Sequence, residues 1–320
     1  MRKPSALVSL FTILLLSSPL LAWNETGHMT VAYVAYRNLT PETRVRVDEL
    51  VKRNPMYHVW IAHTHPADRG LVAFLDAATW PDCIKGSECP GYHADGTDDG
   101  HTPPTDGTAN QNIGYDDMAM HKYWHYVDEP FSPAHLPTKG PKSSNALLQI
   151  RILAAALSDD VVDDIKSYDI AWLEHLVGDV HQPLHCTSRF TRGHPEGDRG
   201  GDEVKFCNKP CRDTLHSFWD GVLGSEIDIA SITRIGEKLL RRDKPAGADE
   251  ASVDVWINEG FLLAQEHVYI FPISDDEDVP VALSPRPSPA YAAHAKSVAE
   301  ARILLAGYRL AALLNQSLLR

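Results

Sequence analysis

Two His-x-x-x-Asp pairs constrain this chain more than any other feature. The first, His175 and Asp179, lies in a stretch from about 161 to 180. There Ile165, Trp172, Leu173, Leu176 and Val180 recur at helical spacing, and Pro183 ends the run. The second, His216 and Asp220, lies in TLHSFWDGVL, read as another helix. Side chains at i and i+4 leave one face of an α-helix, so each helix presents an imidazole beside a carboxylate. In a chain with 16 histidines, one such pair reads as a solvated pair or a helix cap. Two pairs, with HQPLH between them, read as metal ligands.

Helical signals recur elsewhere. Thr40-Pro41 reads as an N-cap and first helical residue, opening a helix through Val51. Ser144 is expected to cap a helix carrying Leu147, Leu148, Ile150, Leu153 and Leu157, and Ser288-Pro289 to open a last, Ala- and Leu-rich helix through Leu318. Strand signals are sparse: 203–206 reads as half of a short hairpin after the Gly200-Gly201 turn. No internal repeat is present. The segments 85–117, 187–202 and 274–287 read as long loops, which in compact domains are usually functional or mobile. The expected fold class is all-α, mainly helical, with long loops and at most a short β-hairpin.

The N-terminus has a basic start at Arg2 and Lys3, a Leu-rich run and then Ala22, the pattern of a secretory signal peptide cut after Ala22. The alternative is an uncleaved anchor, but the apolar run is short for a span of about 20 residues. Cleavage would leave residues 23–320, expected to form a single domain, secreted or periplasmic, with no membrane span. Trp23 would then carry a free α-amino group. Such a group has a reference pKa near ~8 and can lose its proton to bind zinc. His28 follows five residues later.

Formal net charge is −13, and −15 without the leader. The chain therefore has no general electrostatic attraction for phosphates, and action on nucleic acid would require bound cations to supply it locally. Of five cysteines, Cys83–Cys89 and Cys207–Cys211 are candidate local disulfides, leaving Cys186 free. The alternative is that some are reduced, buried small hydrophobes. Asn24, Asn38 and Asn315 begin glycosylation sequons.

The polar residues on or near the helical stretches form a nitrogen- and oxygen-rich ligand set without cysteine. It comprises the Trp23 terminus, His28, Asp82, His125, His175, Asp179, His185, His216 and Asp220. Imidazole with carboxylate suits zinc in an open, catalytic site. The other histidines, His121 and His181 among them, fit no ligand pattern and read as structural or solvent-facing.

Six blocks occur in order: WNETGHMTVAYVA, ATWPDCIK, KYWHYVD, HLVGDVHQPLH, GGDEVKF and TLHSFWD. They resemble the motif series of the zinc-dependent single-strand-specific nucleases that also act as 3′-nucleotidases, a family that shares its fold with the zinc phospholipases C. The resemblance runs from Trp23 to Asp220 and implies a phospholipase C/nuclease-like helical domain with three zinc ions per chain. One zinc would be held by Asp82, His125, His175 and Asp179. A second would take the Trp23 amine and carbonyl, His28 and a shared Asp179. The third would take His185, His216 and Asp220. The implied reaction is hydrolysis of single-stranded DNA, RNA and 3′-nucleotides by a zinc-bridged hydroxide, giving 5′-phosphate products. Two zincs about 3.5–4 Å apart suit this chemistry because zinc lowers the pKa of bound water to about 7. By the same resemblance Lys85 stabilises transition-state charge, Tyr126 stacks a base and Asp128 hydrogen-bonds it. Their bland readings are a solvated loop lysine, a core aromatic and a turn cap. The family default is a monomer, and no stable protein partner is expected.

Three departures from the family pattern stand out. The Asp82–His125 segment is long and could cover the site. Asp202 occupies a position where Asn is common, adding charge near a phosphate site. Arg199 stands where a small apolar residue would face the base, although Arg can itself stack on a base. Two other readings remain: a zinc phospholipase C, distinguished by release of phosphocholine, and a non-catalytic zinc-binding secreted protein, which would leave every phosphoester intact.

Overall fold

Local capping chemistry starts several of the helices in the computed structural model. It describes residues 23–85, 89–90, 92, 100–206, 213–273 and 286–318. Asn24 accepts from the Gly27 N–H and opens α1 (Glu25–Asn38). Thr40 caps α2 (Pro41–Val51), with Pro41 in the first turn as expected. Then come α3 (Tyr57–Trp60), α4 (Arg69–Ala77) and the short α5 (Trp80–Cys83), which carries Asp82. The helix expected after Ser144 is capped instead by Asn145, whose side chain accepts from the Leu148 N–H. It forms α6 (Ala146–Ser158). The helix expected from about 161 begins two residues later, as α7 (Asp163–Asp179). A Thr214–Ser217 capping box opens α8 (Leu215–Asp220). The remaining helices are α9 (Ile229–Leu240), α10 (Val253–Leu263), which runs into a π-helical turn at Ala264–Val268, and α11 (Pro289–Ser317) with Ser288 as its cap.

The fold is mainly α-helical, in agreement with the sequence. Helix α1 is buried from Thr26 to Tyr36 and packs against α11, α9, α4 and α7. Helix α7 is buried from Ser167 to Asp179 and packs on α6, α2, α11 and α1. These two helices form the floor of the molecule's polar centre. A second, smaller apolar cluster gathers Phe206, Leu215, Trp219, Val268 and Tyr291 under α8 and α11.

Among the described residues the expected hairpin shows one antiparallel bridge, Lys205 with Thr214, with the Phe206 N–H donating to the Asp213 carbonyl and the Leu215 N–H to the Val204 carbonyl. The only ladder among the described residues is a parallel one, β1 (Pro130–Phe131) with β2 (Ser188–Arg189), in the register Pro130–Ser188 and Phe131–Arg189. Longer pairing surrounds it. The Val127 N–H donates to the His185 carbonyl at 2.7 Å, and the Ser188 N–H to the Glu129 carbonyl at 2.9 Å. The segment after His125 thus runs beside the segment after His185.

Cys83 and Cys89 form the expected disulfide, and Cys186 is free and buried. Cys207 and Cys211, and the leader 1–22, lie outside the described residues. In the long segment after Lys85, Tyr92 packs edge-on to Trp80, and the Trp124 ring N–H donates to the Ala109 carbonyl. No helix among the described residues is long and apolar enough to cross a membrane.

Candidate metal centre

Four chain segments converge at the C-terminal end of α7. Helix α7 supplies His175 and Asp179, α1 supplies His28, α5 supplies Asp82, and the turn after Tyr123-Trp124 supplies His125. All are buried. His28 Nε2 lies 3.3 Å from Asp179 Oδ1, and its ring stacks on His175 with centroids 3.8 Å apart. His125 Nδ1 lies 3.0 Å from Asp179 Oδ2 and 2.9 Å from His175 Nε2. Asp82 Oδ1 lies 3.4 Å from His175 Nε2 and 3.9 Å from His125 Nδ1. Across the centre, His185 and His216 face each other with Nε2 atoms 3.0 Å apart, and Asp220 Oδ2 lies 3.6 Å from His216 Nε2. Three groups have donor atoms that all lie within 4.8 Å of one another. They are His28–His175–Asp179, Asp82–His125–His175 and His185–His216–Asp220.

The close approach of α1 to α7 requires Gly178. A Cβ there would stand 2.9 Å from His28 Nδ1. Trp23 is fully buried, packs on Gly27, and has its Cδ1 3.9 Å from that same Cβ position. The Asn24 N–H donates to the Asp220 carbonyl at 3.2 Å, so the chain at Trp23 runs between the His28 and Asp220 sides. The Asn24 side-chain amide is also committed, donating to the Gly224 carbonyl at 2.6 Å.

Outer hydrogen bonds fix the imidazoles. His175 Nδ1 donates to the Ala78 carbonyl at 2.8 Å, His185 Nδ1 to the His125 carbonyl at 2.7 Å, and His216 Nδ1 to the Gly200 carbonyl at 2.8 Å. With Nδ1 carrying the proton, each Nε2 turns a lone pair inward. With both rings neutral in this tautomer, two such lone pairs stand 3.0 Å apart, at His185 and His216, with no hydrogen between them. A cation between them resolves that contact. Gln182 holds Asp220, its Nε2 donating to Oδ1 at 2.8 Å, while its own Oε1 accepts from the Leu184 N–H. Sequence reasoning missed Gln182. Its place inside HQPLH, between a ligand-bearing helix and His185, was the available signal.

Several polar atoms of these residues have no hydrogen-bond partner: both ring nitrogens of His28, Asp179 Oδ1 and His125 Nε2. Leaving buried charged or polar atoms unpaired costs several kcal/mol. A bound divalent cation offsets that cost, since a structural zinc site contributes about 10–16 kcal/mol in small domains. The donor set fits such an ion. Burial, together with the Lys85 charge, lowers His125 to about 3, and burial likewise lowers His185 to about 3, so both are neutral ligands. Burial opposes ionisation of Asp179 and Asp82, but the surrounding imidazoles, and Lys85 beside Asp82, hold both carboxyls below their ordinary range. These buried His/Asp groups could bind metal ions.

The remaining sequence candidates border this centre. Lys85 is buried and ion-paired with Asp82 Oδ1. Tyr126 is half-buried next to His125. Asp128 is half-buried. Burial and the Asp198 carboxylate raise it to about 6, and Lys142, Arg199 and His216 pull the other way. Arg199 is exposed, in a left-handed backbone conformation (φ 54°), with its N–H donating to Ser188 Oγ at 3.3 Å. Two of the histidines read as structural or solvent-facing are buried in structural roles: His121 stacks on Trp124, and His181 donates to the Val177 carbonyl while accepting from Arg309.

A family model described as S1/P1 Nuclease matches residues 23–319. No curated protein matches the chain.

Proposed function

Since the chain belongs to the S1/P1 nuclease family, and is a nuclease by that membership, we propose the following finer reading. It is a secreted, zinc-dependent phosphodiesterase that hydrolyses single-stranded DNA and RNA to 5′-phosphorylated products and also acts as a 3′-nucleotidase. The observation that carries it is the convergence of three buried His/Asp groups within one polar centre. A ligand set of imidazole and carboxylate, without cysteine, suits zinc in an open site. The family match starts at Trp23, in keeping with a leader removed after Ala22 and a mature catalytic domain of residues 23–320.

In this reading Asp82, His125, His175 and Asp179 hold one ion. His28, Asp179 and the Trp23 amine and carbonyl hold a second, and His185, His216 and Asp220 hold a third. When bound, zinc supplies a hydroxide at neutral pH and stabilises charge on phosphate oxygens. The protein's own residues do the rest. The Ala78, His125 and Gly200 carbonyls keep the imidazoles aimed inward, and Gln182 keeps Asp220 in place. Asp82 keeps Lys85 at the centre, where its ammonium stabilises charge that develops on the phosphate in the transition state. Lys gives a point charge there, without the two-pronged grip of Arg. Tyr126 stacks a base, Asp128 hydrogen-bonds it, and Arg199 covers its other face. Stacking contributes about 1–3 kcal/mol per base and tolerates any sequence, which suits single strands. The ions also answer the charge problem, because a chain of net charge −13 must attract phosphate locally.

The test is digestion by protein beginning at Trp23. Single-stranded DNA should yield 5′-phosphorylated nucleotides, and a 3′-mononucleotide should release phosphate. Release of phosphocholine from phosphatidylcholine with no nucleotide product would replace this reading with a phospholipase. Stoichiometric zinc with every ester intact would replace it with zinc storage.

A further inference from the structure

We infer that Asp202 is a specificity residue. It biases the His185–His216–Asp220 side of the centre toward singly charged phosphodiesters and against doubly charged terminal phosphomonoesters. The inference rests on the nuclease reading above and concerns which phosphoester that same site prefers.

Asp202 follows directly on a left-handed run: Arg199, Gly200 and Gly201 have φ of 54°, 60° and 83°. Position 200 needs glycine, because a Cβ there would meet the Leu184 carbonyl oxygen at 2.3 Å. This run clasps the start of α8. The Gly200 carbonyl accepts from His216 Nδ1 at 2.8 Å, and the His216 N–H donates to the Gly201 carbonyl at 3.4 Å. The Asp202 N–H is bound back to the Arg199 carbonyl at 3.3 Å, which closes the turn. Asp202 is therefore delivered to the His216 side of the centre by the same turn that orients His216.

Its carboxylate is half-buried. Oδ1 is buried and accepts no hydrogen bond. The nearby acidic groups are compensated differently: Asp82 has Lys85, Asp198 has Arg189 and Tyr269, and Asp220 has Gln182. Among the described residues no cation is within ion-pair distance of Asp202. Its charge acts electrostatically on both His216 and Asp220.

A phosphate seated at the centre therefore meets a fixed negative charge. A diester brings one negative charge. A terminal monoester brings up to two at neutral pH, since its second pKa is near ~6. The extra charge feels the extra repulsion, which at an effective dielectric of about 20 and a separation of several ångströms is on the order of tenfold in relative binding. Single-stranded internal linkages gain over 3′-phosphate ends.

The experiment compares wild type with Asp202→Asn, which keeps shape and removes charge. It measures kcat/KM on a 3′-mononucleotide and on a dinucleotide phosphodiester, at low and high salt, together with zinc content. The expected result is a monoester-to-diester ratio raised about tenfold, a smaller rise at high salt, and unchanged zinc content. Asp202→Glu should return the wild-type ratio, which separates charge from a folding defect. An unchanged ratio in Asp202→Asn overturns the inference while leaving the nuclease reading intact. Loss of a zinc ion overturns it too, by making Asp202 a ligand. A wild type that cleaves neither substrate removes the nuclease reading itself.

Discussion

Replacing Gly178 by alanine tests whether the centre depends on the spacing between α1 and α7. The added Cβ would lie 2.9 Å from His28 Nδ1 and 3.2 Å from Cε1. Unstrained contacts between such atoms are about 3.5 Å, so the imidazole must retreat by roughly 0.5 Å. It has little room, being stacked on His175 at 3.8 Å with Nε2 3.3 Å from Asp179 Oδ1. For stability two effects compete. Alanine gains up to about 1 kcal/mol over glycine in a helix, while overpacking a core costs about 1–3 kcal/mol. The expected net loss is about 0–2 kcal/mol, a fall in Tm of a few degrees. Metal binding is far less tolerant, because ligand distances hold to about ±0.2 Å. A shift of roughly 0.5 Å should therefore weaken the ion held by His28 and Asp179 by at least about tenfold. The assay is calorimetric titration of zinc into chelator-stripped protein, alongside thermal unfolding of the stripped form. Gly178→Ala should lose one high-affinity equivalent and most activity while keeping a nearly native Tm. Full zinc stoichiometry at native affinity would refute the reasoning, whatever the Tm.

Three further outcomes are expected. Protein carrying a tag or Met-initiated extension before Trp23 should bind about one zinc fewer and be nearly inactive, with activity recovered when a protease exposes Trp23; equal activity before and after cleavage would remove the terminal amine from the ligand set. Lys85→Ala should lower kcat by on the order of a hundredfold at unchanged zinc content, because the lost charge acts on the transition state; metal loss, read by elemental analysis, would make Lys85 structural. Asp169 gives a pH signature: burial raises its carboxyl to about 8, against an ordinary value of 3.8, although Asn112 donates to it at 2.7 Å. The folded state therefore keeps a proton that the unfolded state releases, so this stabilising contribution is complete below about pH 4 and is lost as pH rises toward 8, by up to about 1.4 kcal/mol per pH unit. Asp169→Asn should remove that slope, so its Tm advantage should widen between pH 5 and 8; parallel Tm curves would contradict the assignment.

Those parts of the fold with a local cause could be read from the sequence. Thr40-Pro41 and Ser288-Pro289 start helices because a side-chain oxygen and a fixed φ act within one turn. Helix α7 was readable for its apolar spacing, although its start fell two residues late. Helix α1 showed no such signal. It is buried from Thr26 to Tyr36 on every side, so it has no polar face to set against an apolar one. The β1–β2 pairing joins residues 58 apart in sequence, and nothing in PF or SR alone specifies a partner. The cap of α6 moved from Ser144 to Asn145 because adjacent residues can both cap and tertiary packing selects one.

The centre divides along the same line. The i, i+4 pairs mark His175, Asp179, His216 and Asp220 without any knowledge of the fold. His28, Asp82 and His125 stood out through the motif series, and the structure brings them to the same place. The orienting partners were hidden. Three are backbone carbonyls, at Ala78, His125 and Gly200, which carry no side-chain signature. The fourth, Gln182, is an ordinary polar residue until its bond to Asp220 is seen.

The most direct measurement is anomalous diffraction at the zinc edge from crystals of protein beginning at Trp23. Three peaks are expected: one among Asp82, His125, His175 and Asp179, one between His28, Asp179 and the Trp23 amine, and one at His185, His216 and Asp220. Crystals grown in zinc that show no peak at these groups, or only peaks on surface histidines, would contradict the account.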